Sequence, residues 1–359
     1  MIKGNKIIAE AIRDVGIETV FTVAGGHFLP TYNEIGIIGA TRIVTARHEQ
    51  GAGYMASGYA LATGRVGVVL SGAPGPGATN LVTSVANAQA DSIPLLVLSA
   101  QVDKRYLHRN ILQYCDNVAL FEPFCKSSMQ AASLDEIPNL LSTSIQLALS
   151  GRPGPVHISL PQNLQAETTS SQKIIPFEQL NTGKPSNIDI NNLLEALRNC
   201  KRPVILSGHG VLRSGSSLIL KEVAEKIGAP VATSRSGIGS ISTNHPQSVG
   251  MLGFYGTDTA RDSISEADLI LVLGCALGEQ TTFGWRSEIF AKDAHLVQVD
   301  IDASQLNRVY KLDQGIVFDV GAVLQSLSEN VEKSDPWFNL KPKKYPPQND
   351  PVRGLSAAT

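Results

Sequence analysis

Apolar residues in this chain fall in short continuous runs that alternate with segments of helical period, the pattern of strands buried on both faces and joined by helices. Ile7, Ile8, Ala11, Ile12 and Val15 recur at helical spacing, Gly16 stops that helix, and a strand is predicted over 19–23. A short buried strand is predicted over 43–46, a helix over 50–63, a strand over 66–70 and a helix from about 78 to 90. The apolar run 93–100 predicts another doubly buried strand, and 136–149 an amphipathic helix. A strand between Pro155 and Pro161 closes a first domain, residues 1–165.

The polar stretch 166–189, with Thr168, Thr169, Ser170 and Ser171 in sequence, predicts a linker. Strands at 203–207, 230–233, 269–274 and 295–300 then define a second domain, residues 190–332. Its helix over 216–227 is expected to turn Leu218, Leu220, Val223, Ala224 and Ile227 to the core, and a last helix covers 320–327. Residues 333–359 read as a Pro-rich, basic tail. The expected fold is α/β: two Rossmann-like three-layer domains with mainly parallel sheets.

Composition sharpens this picture at three points. A length of 359 residues exceeds the roughly 250–300 at which single cores stop growing, which favours two domains. A net charge of −2 shows no bias toward nucleic acid or anionic membranes. Four cysteines without a CxxC pair indicate neither a zinc site nor a disulfide framework, and no apolar run is long enough to span a bilayer. Lys3, Lys6, Glu10, Arg13 and Asp14 interrupt the first fifteen residues, so a signal peptide is not expected and a cytoplasmic location is.

Candidate chemistry concentrates between Ile43 and Asn80. Glu49 falls at a strand-to-helix junction, where free backbone N–H groups and the helix dipole favour an ionised carboxylate. The small residues that follow it allow the helix to lie very close to another element. Ser71 to Asn80 forms a Gly/Pro loop after an apolar strand, the edge at which open α/β sheets bind ligands. It is neither a P-loop nor a GxGxxG turn. Gly25 and Gly26, at the end of the first long strand, allow close backbone approach, and His27 follows them. Taken alone, His27 reads as a solvated loop histidine and Gln113 as a surface amide.

Arg47-His-Glu-Gln-Gly-Ala-Gly-Tyr-Met-Ala56 followed by Gly75-Pro-Gly-Ala-Thr-Asn80 resembles the pyrimidine-binding domain of thiamine diphosphate enzymes of the acetolactate synthase and benzaldehyde lyase type. The resemblance runs over nearly the whole chain, including Gly151-Arg-Pro-Gly-Pro155. It implies that Glu49 hydrogen-bonds N1′ of the cofactor's aminopyrimidine and drives the tautomer that removes the thiazolium proton. It implies His27 and Gln113 as polar groups on the substrate side, and Gly25, Gly26, Pro76, Gly77 and Asn80 along the pyrimidine. The reaction would form or cleave a C–C bond in a small 2-keto acid or 2-hydroxyketone, as an acetolactate synthase-like carboligase, a decarboxylase or a lyase. A homodimer or tetramer is expected.

The family holds its diphosphate and Mg²⁺ on a C-terminal domain through a Gly-Asp-Gly segment. This chain has no Gly-Asp dipeptide, so that domain is expected to be absent, with no metal ligand here. A separate pyrophosphate-domain chain could complete the enzyme, or this chain could be a non-catalytic partner of a complete homologue. In acetolactate synthases the central domain also binds FAD; here the corresponding turn, Cys275-Ala-Leu-Gly-Glu-Gln280, lacks the family's arginine and acidic pair, which counts against tight flavin binding. A nucleotide-binding protein using that domain alone is the remaining alternative.

Overall fold

A computed structural model describes residues 1–169 and 184–338, in two compact units, Met1–Asn181 and Thr182–Thr359. The first contains strands β1 (Ile2–Lys3), β2 (Thr19–Val23), β3 (Arg42–Thr45), β4 (Gly67–Ser71), β5 (Leu95–Gln101), β6 (Ser127–Gln130), β7 (Pro155–Pro161) and β8 (Thr168–Thr169). Six of them form one sheet in the order β3-β2-β4-β5-β7-β6, every neighbouring pair parallel. Five helices matter below: α1 (Gly4–Asp14), α2 (Leu29–Ile38), α3 (Glu49–Thr63), α4 (Pro76–Thr79) and α5 (Val82–Ala90).

Strand side chains alternate between two cores, because successive residues of a strand point to opposite faces. Val68, Leu70, Leu96 and Leu98 pack with Ile8 and Ile12 of α1 on one face. Val69, Leu95 and Val97 pack with Ala52, Ala56 and Ala60 of α3 on the other. Alanines at those positions, with Gly53 seated against Ser84 of α5, bring α3 close to both the sheet and α5. The central strands β4, β5 and β7 are buried along their whole length.

The second unit contains β9 (Pro203–Ser207), β10 (Val231–Thr233), β11 (Ser248–Met251), β12 (Leu269–Leu273), β13 (His295–Asp300) and β14 (Gln314–Val317). They form a parallel sheet in the order β11-β10-β9-β12-β13-β14, the strand order of doubly wound dinucleotide-binding folds. Both units therefore have the expected α/β architecture.

Four local expectations change. Strand β3 is half-exposed rather than buried, since it lies at the sheet edge. The helix expected over 78–90 divides into α4 and α5, with the Leu81 N–H turning back to Ala78 O in a tightened turn. Leu218 is 81% exposed, because the buried stripe of its helix runs through Leu220, Val223, Ala224 and Ile227 at i, i+3, i+4 and i+7. The stretch expected to be a plain linker is structured at both ends: β8 pairs antiparallel with β1, and a helix begins at Asn187, while residues 170–183 lie outside those described. Among the described residues no helix is long and apolar enough to cross a membrane.

Candidate active site

In the first sheet the chain passes from β2 to β3 on one side, then crosses back through α3 to β4 on the other. Such a reversal opens a crevice outside the carboxyl ends of the strands. Two loops meet there so closely that a Cβ on Gly25 would collide with the Gly72 backbone, and a Cβ on Gly72 with Gly25. Glu49 and Asn80 arrive from either side of this glycine contact.

Glu49 is the first residue of α3. His48 precedes it in extended backbone, and its Nδ1 accepts the Gln50 N–H at 3.2 Å, capping the helix. The Glu49 carboxylate thus lies in the first turn, where the helix dipole favours a negative charge. Asn80 is held by the short helix α4, with Pro76 at its start and Gly75 before it at φ +56°. Its own N–H bonds Pro76 O, and Leu81 beyond it is fully buried. The Asn80 side chain Nδ2 donates to Glu49 Oε2 at 3.0 Å. The other oxygen, Oε1, lies over Gly77, 3.5 Å from where a Cβ would stand.

A second polar group comes from below. Thr22 Oγ1 donates to Leu70 O at 2.7 Å, so the Tyr32 hydroxyl, 2.5 Å away, is the donor to Thr22. Burial raises the Tyr32 pKa, the hydrogen bond to Thr22 opposes that shift, and the negative charge of Glu49 adds to it. The phenol therefore stays protonated beside the carboxylate.

Gln113 meets the site through its backbone. It adopts φ +65°, and its carbonyl packs where a Cβ on Gly75 would stand. Its side chain is exposed. The segment around it is pinned to the sheet by the Gln101 Nε2 bond to Cys115 O at 2.8 Å and by Asn117 Nδ2 to Ala100 O at 3.0 Å. His27 is half-buried, its carbonyl accepts from the Gln165 amide, and burial lowers its pKa, which favours the neutral ring. Among the described residues no hydrogen bond joins the His27 ring or the Gln113 side chain to Glu49. Gly26 faces open space and Pro76 is exposed.

The structure thus brings Glu49, Asn80 and Gly77 together and sets Gly25 against Gly72. Sequence reasoning missed Thr22, Tyr32 and the contact made by Gly72. A threonine in a strand and a tyrosine in a helix carry no signal of their own. Among the described residues, no group of three or more His, Cys, Asp and Glu side chains could hold a metal ion.

Residues 2–120 match the family model described as thiamine pyrophosphate enzyme, N-terminal TPP binding domain, and residues 190–327 match thiamine pyrophosphate enzyme, central domain. The chain belongs to the thiamine pyrophosphate enzyme family. Its relatives within that family include the probable acetolactate synthase large subunit of Methanococcus aeolicus, 35% identical over 337 residues that make up 92% of this chain and 55% of the relative. The acetolactate synthase large subunit of Lactococcus lactis is 33% identical over 364 residues, 98% of this chain and 63% of the relative. The acetolactate synthase isozyme 3 large subunit of Escherichia coli is 34% identical over 336 residues, 92% and 58% respectively. This thiamine pyrophosphate enzyme chain therefore spans between 55% and 63% of the length of these relatives.

The first unit fits the pyrimidine half of such a cofactor by its donor set: one carboxylate with an oxygen not taken by Asn80, and glycine on the floor beneath it. The second unit fits a flavin dinucleotide poorly at its reversal of strand order, between β9 and β12. The Gly208 N–H bonds Leu273 O at 2.9 Å and the Gly210 N–H bonds Gly274 O at 3.0 Å. Those donors are already engaged, so they do not make a diphosphate cradle.

Proposed function

We propose that this chain supplies the pyrimidine-activating half of a thiamine diphosphate-dependent enzyme that forms or cleaves a C–C bond beside a carbonyl. Acetolactate synthase-like carboligation of a small 2-keto acid is the first choice, with 2-keto acid decarboxylation and 2-hydroxyketone cleavage as neighbouring chemistries. The observation that carries this reading is the Glu49 carboxylate at the start of α3, with Oε2 occupied by Asn80 and Oε1 over Gly77. When bound, thiamine diphosphate supplies a carbon nucleophile and an electron sink.

In this reading Glu49 Oε1 exchanges a proton with a ring nitrogen, and one carboxylate within hydrogen-bond reach suffices for that role. Gly25, Gly26, Pro76 and Gly77 line the pyrimidine side in this reading, with Gly26 open on its Cβ side and Gly25 and Gly77 packed against Gly72 and Ser71. His27, neutral through burial, and Gln113 belong to the substrate side. Diphosphate and Mg²⁺ are assigned to a domain beyond these two, on this or another chain, and the working enzyme to a homodimer or tetramer. Cytoplasmic placement belongs to the same proposal, supported by four free cysteines. FAD takes no part in it.

The test is Glu49→Gln in the chain combined with a pyrophosphate-binding domain of the family, read as exchange of the cofactor's C2 proton. Loss of acid/base assistance slows exchange about 10²–10⁴-fold. An unchanged rate removes Glu49 from this role and the proposal with it.

A further inference from the structure

We infer that Asn80 is the positioning residue of the Glu49 carboxylate: it occupies Oε2 and leaves Oε1 as the single oxygen offered to a ligand's ring nitrogen. This rests on the reading that Glu49 meets such a nitrogen, but the pairing itself is a property of the chain alone.

A glutamate side chain at a helix start has three rotatable bonds and two equivalent oxygens with about four lone-pair sites. Ordering it costs rotamer entropy, so a carboxylate left to itself would not present one oxygen in one direction. Asn80 supplies the missing constraint. Its backbone is fixed by the N–H bond to Pro76 O and by the burial of Leu81, and Gly75 before α4 is clamped by the Gln113 backbone. The donor is therefore a rigid post, 3.0 Å from Oε2.

The residue type matters as much as the distance. An amide donates without carrying charge, whereas lysine or arginine in the same place would pair with the carboxylate and lower its basicity. Strand order matters too. Glu49 follows β3 and Asn80 follows β4, with β2 between them, so the bond spans the end of the central strand of the crevice. Asn80, expected along the pyrimidine, gives its amide to the carboxylate expected to serve that ring.

The first measurement needs no cofactor. In the full chain labelled with ¹⁵N-asparagine, the Asn80 side-chain amide resonances are expected to carry the shift of a donor bonded to a carboxylate, and to move in Glu49→Gln. Resonances that keep their positions in Glu49→Gln overturn the inference. In the completed enzyme, Asn80→Ala is expected to lower kcat about 10- to 100-fold, the size of one hydrogen bond to a charged group, with KM little changed. Isosteric Asn80→Asp recovers activity only as pH falls and the introduced carboxyl regains a proton to donate. Activity equal to the unaltered enzyme across the pH range in both variants also overturns the inference. Full C2-proton exchange in Glu49→Gln would instead sink the functional reading, while the amide resonances still report whether Asn80 holds the carboxylate.

Discussion

The two units solve the same backbone problem and put it to different use. Each sheet has a strand-order reversal at which the first strand's two neighbours diverge, and each of these is closed by glycines in contact: Gly25 against Gly72 in the first, Gly208 and Gly210 against Gly274 in the second. Around the first contact stand Glu49, Asn80, Thr22 and Tyr32, with one carboxylate oxygen not taken by Asn80. Around the second, side chains tie the loops to one another: Ser207 Oγ donates to Ser240 Oγ at 2.8 Å, and Gln298 Nε2 to Cys275 O at 3.1 Å. Topology decides where a ligand edge lies. Side chains decide whether that edge is a site or a joint.

The largest effect that should separate the units is acid sensitivity. His157 in β7 is buried in a directed chain of hydrogen bonds. Asn117 Nδ2 donates to Ser99 Oγ, Ser99 Oγ donates to His157 Nε2 at 2.8 Å, Nδ1–H donates to Ser128 Oγ at 2.7 Å, and Ser128 donates to Val118 O. That chain needs a neutral ring, and burial pushes the His157 pKa down to about 3. The unfolded value is about 6.5, so the folded state binds fewer protons between these limits. Stability is full above about pH 6.5 and declines as pH falls toward 3, by up to roughly 4–5 kcal/mol. Among the described residues no histidine of the second unit is buried. Both tryptophans, Trp285 and Trp337, lie in that unit, so fluorescence follows it while far-UV circular dichroism follows both. On acidification the dichroism should fall before the fluorescence shifts, and the reverse order would break the contrast.

Paired glycine substitutions come next. Gly75→Ala puts a Cβ on the Gln113 carbonyl at φ +56°, and Gly274→Ala puts one 2.6 Å from Gly210 Cα, also at φ +56°. Each should cost about 2–4 kcal/mol in urea unfolding, from strain and overpacking together. Only the first should disturb Asn80 and slow C2-proton exchange. Equal losses of exchange from both would mean that the second crevice shares the chemistry.

The smallest effect sharpens the role of one loop. Gln113→Ala removes an exposed side chain whose backbone does the packing, so stability should stay within about 0.5 kcal/mol. A fall in activity at that unchanged stability would assign the amide to substrate.

Buried parallel strands were the most legible part of the fold. The strands at 19–23, 203–207 and 295–300 have the bounds expected of them, since a largely buried parallel strand is a short segment rich in apolar residues between polar or Gly punctuation. The edge strands β6, β11 and β14 escaped notice, because one side of an edge strand pairs with nothing and its residues need not be apolar. Leu218 went wrong for a related reason: composition names an apolar residue, but only the helical phase relative to its neighbours says which way it faces.

By itself, the sequence determined that Glu49 opens a helix behind a strand and that a Gly/Pro loop follows the next strand, because capping, helix period and turn chemistry act over a few residues. It could not determine that Asn80, 31 positions away, would hold one oxygen of that carboxylate, or that the Gln113 backbone would close on Gly75. Those contacts follow from the strand order β3-β2-β4, which sets two loops on either side of one strand end, and a pairing between distant segments exists only once the sheet has assembled.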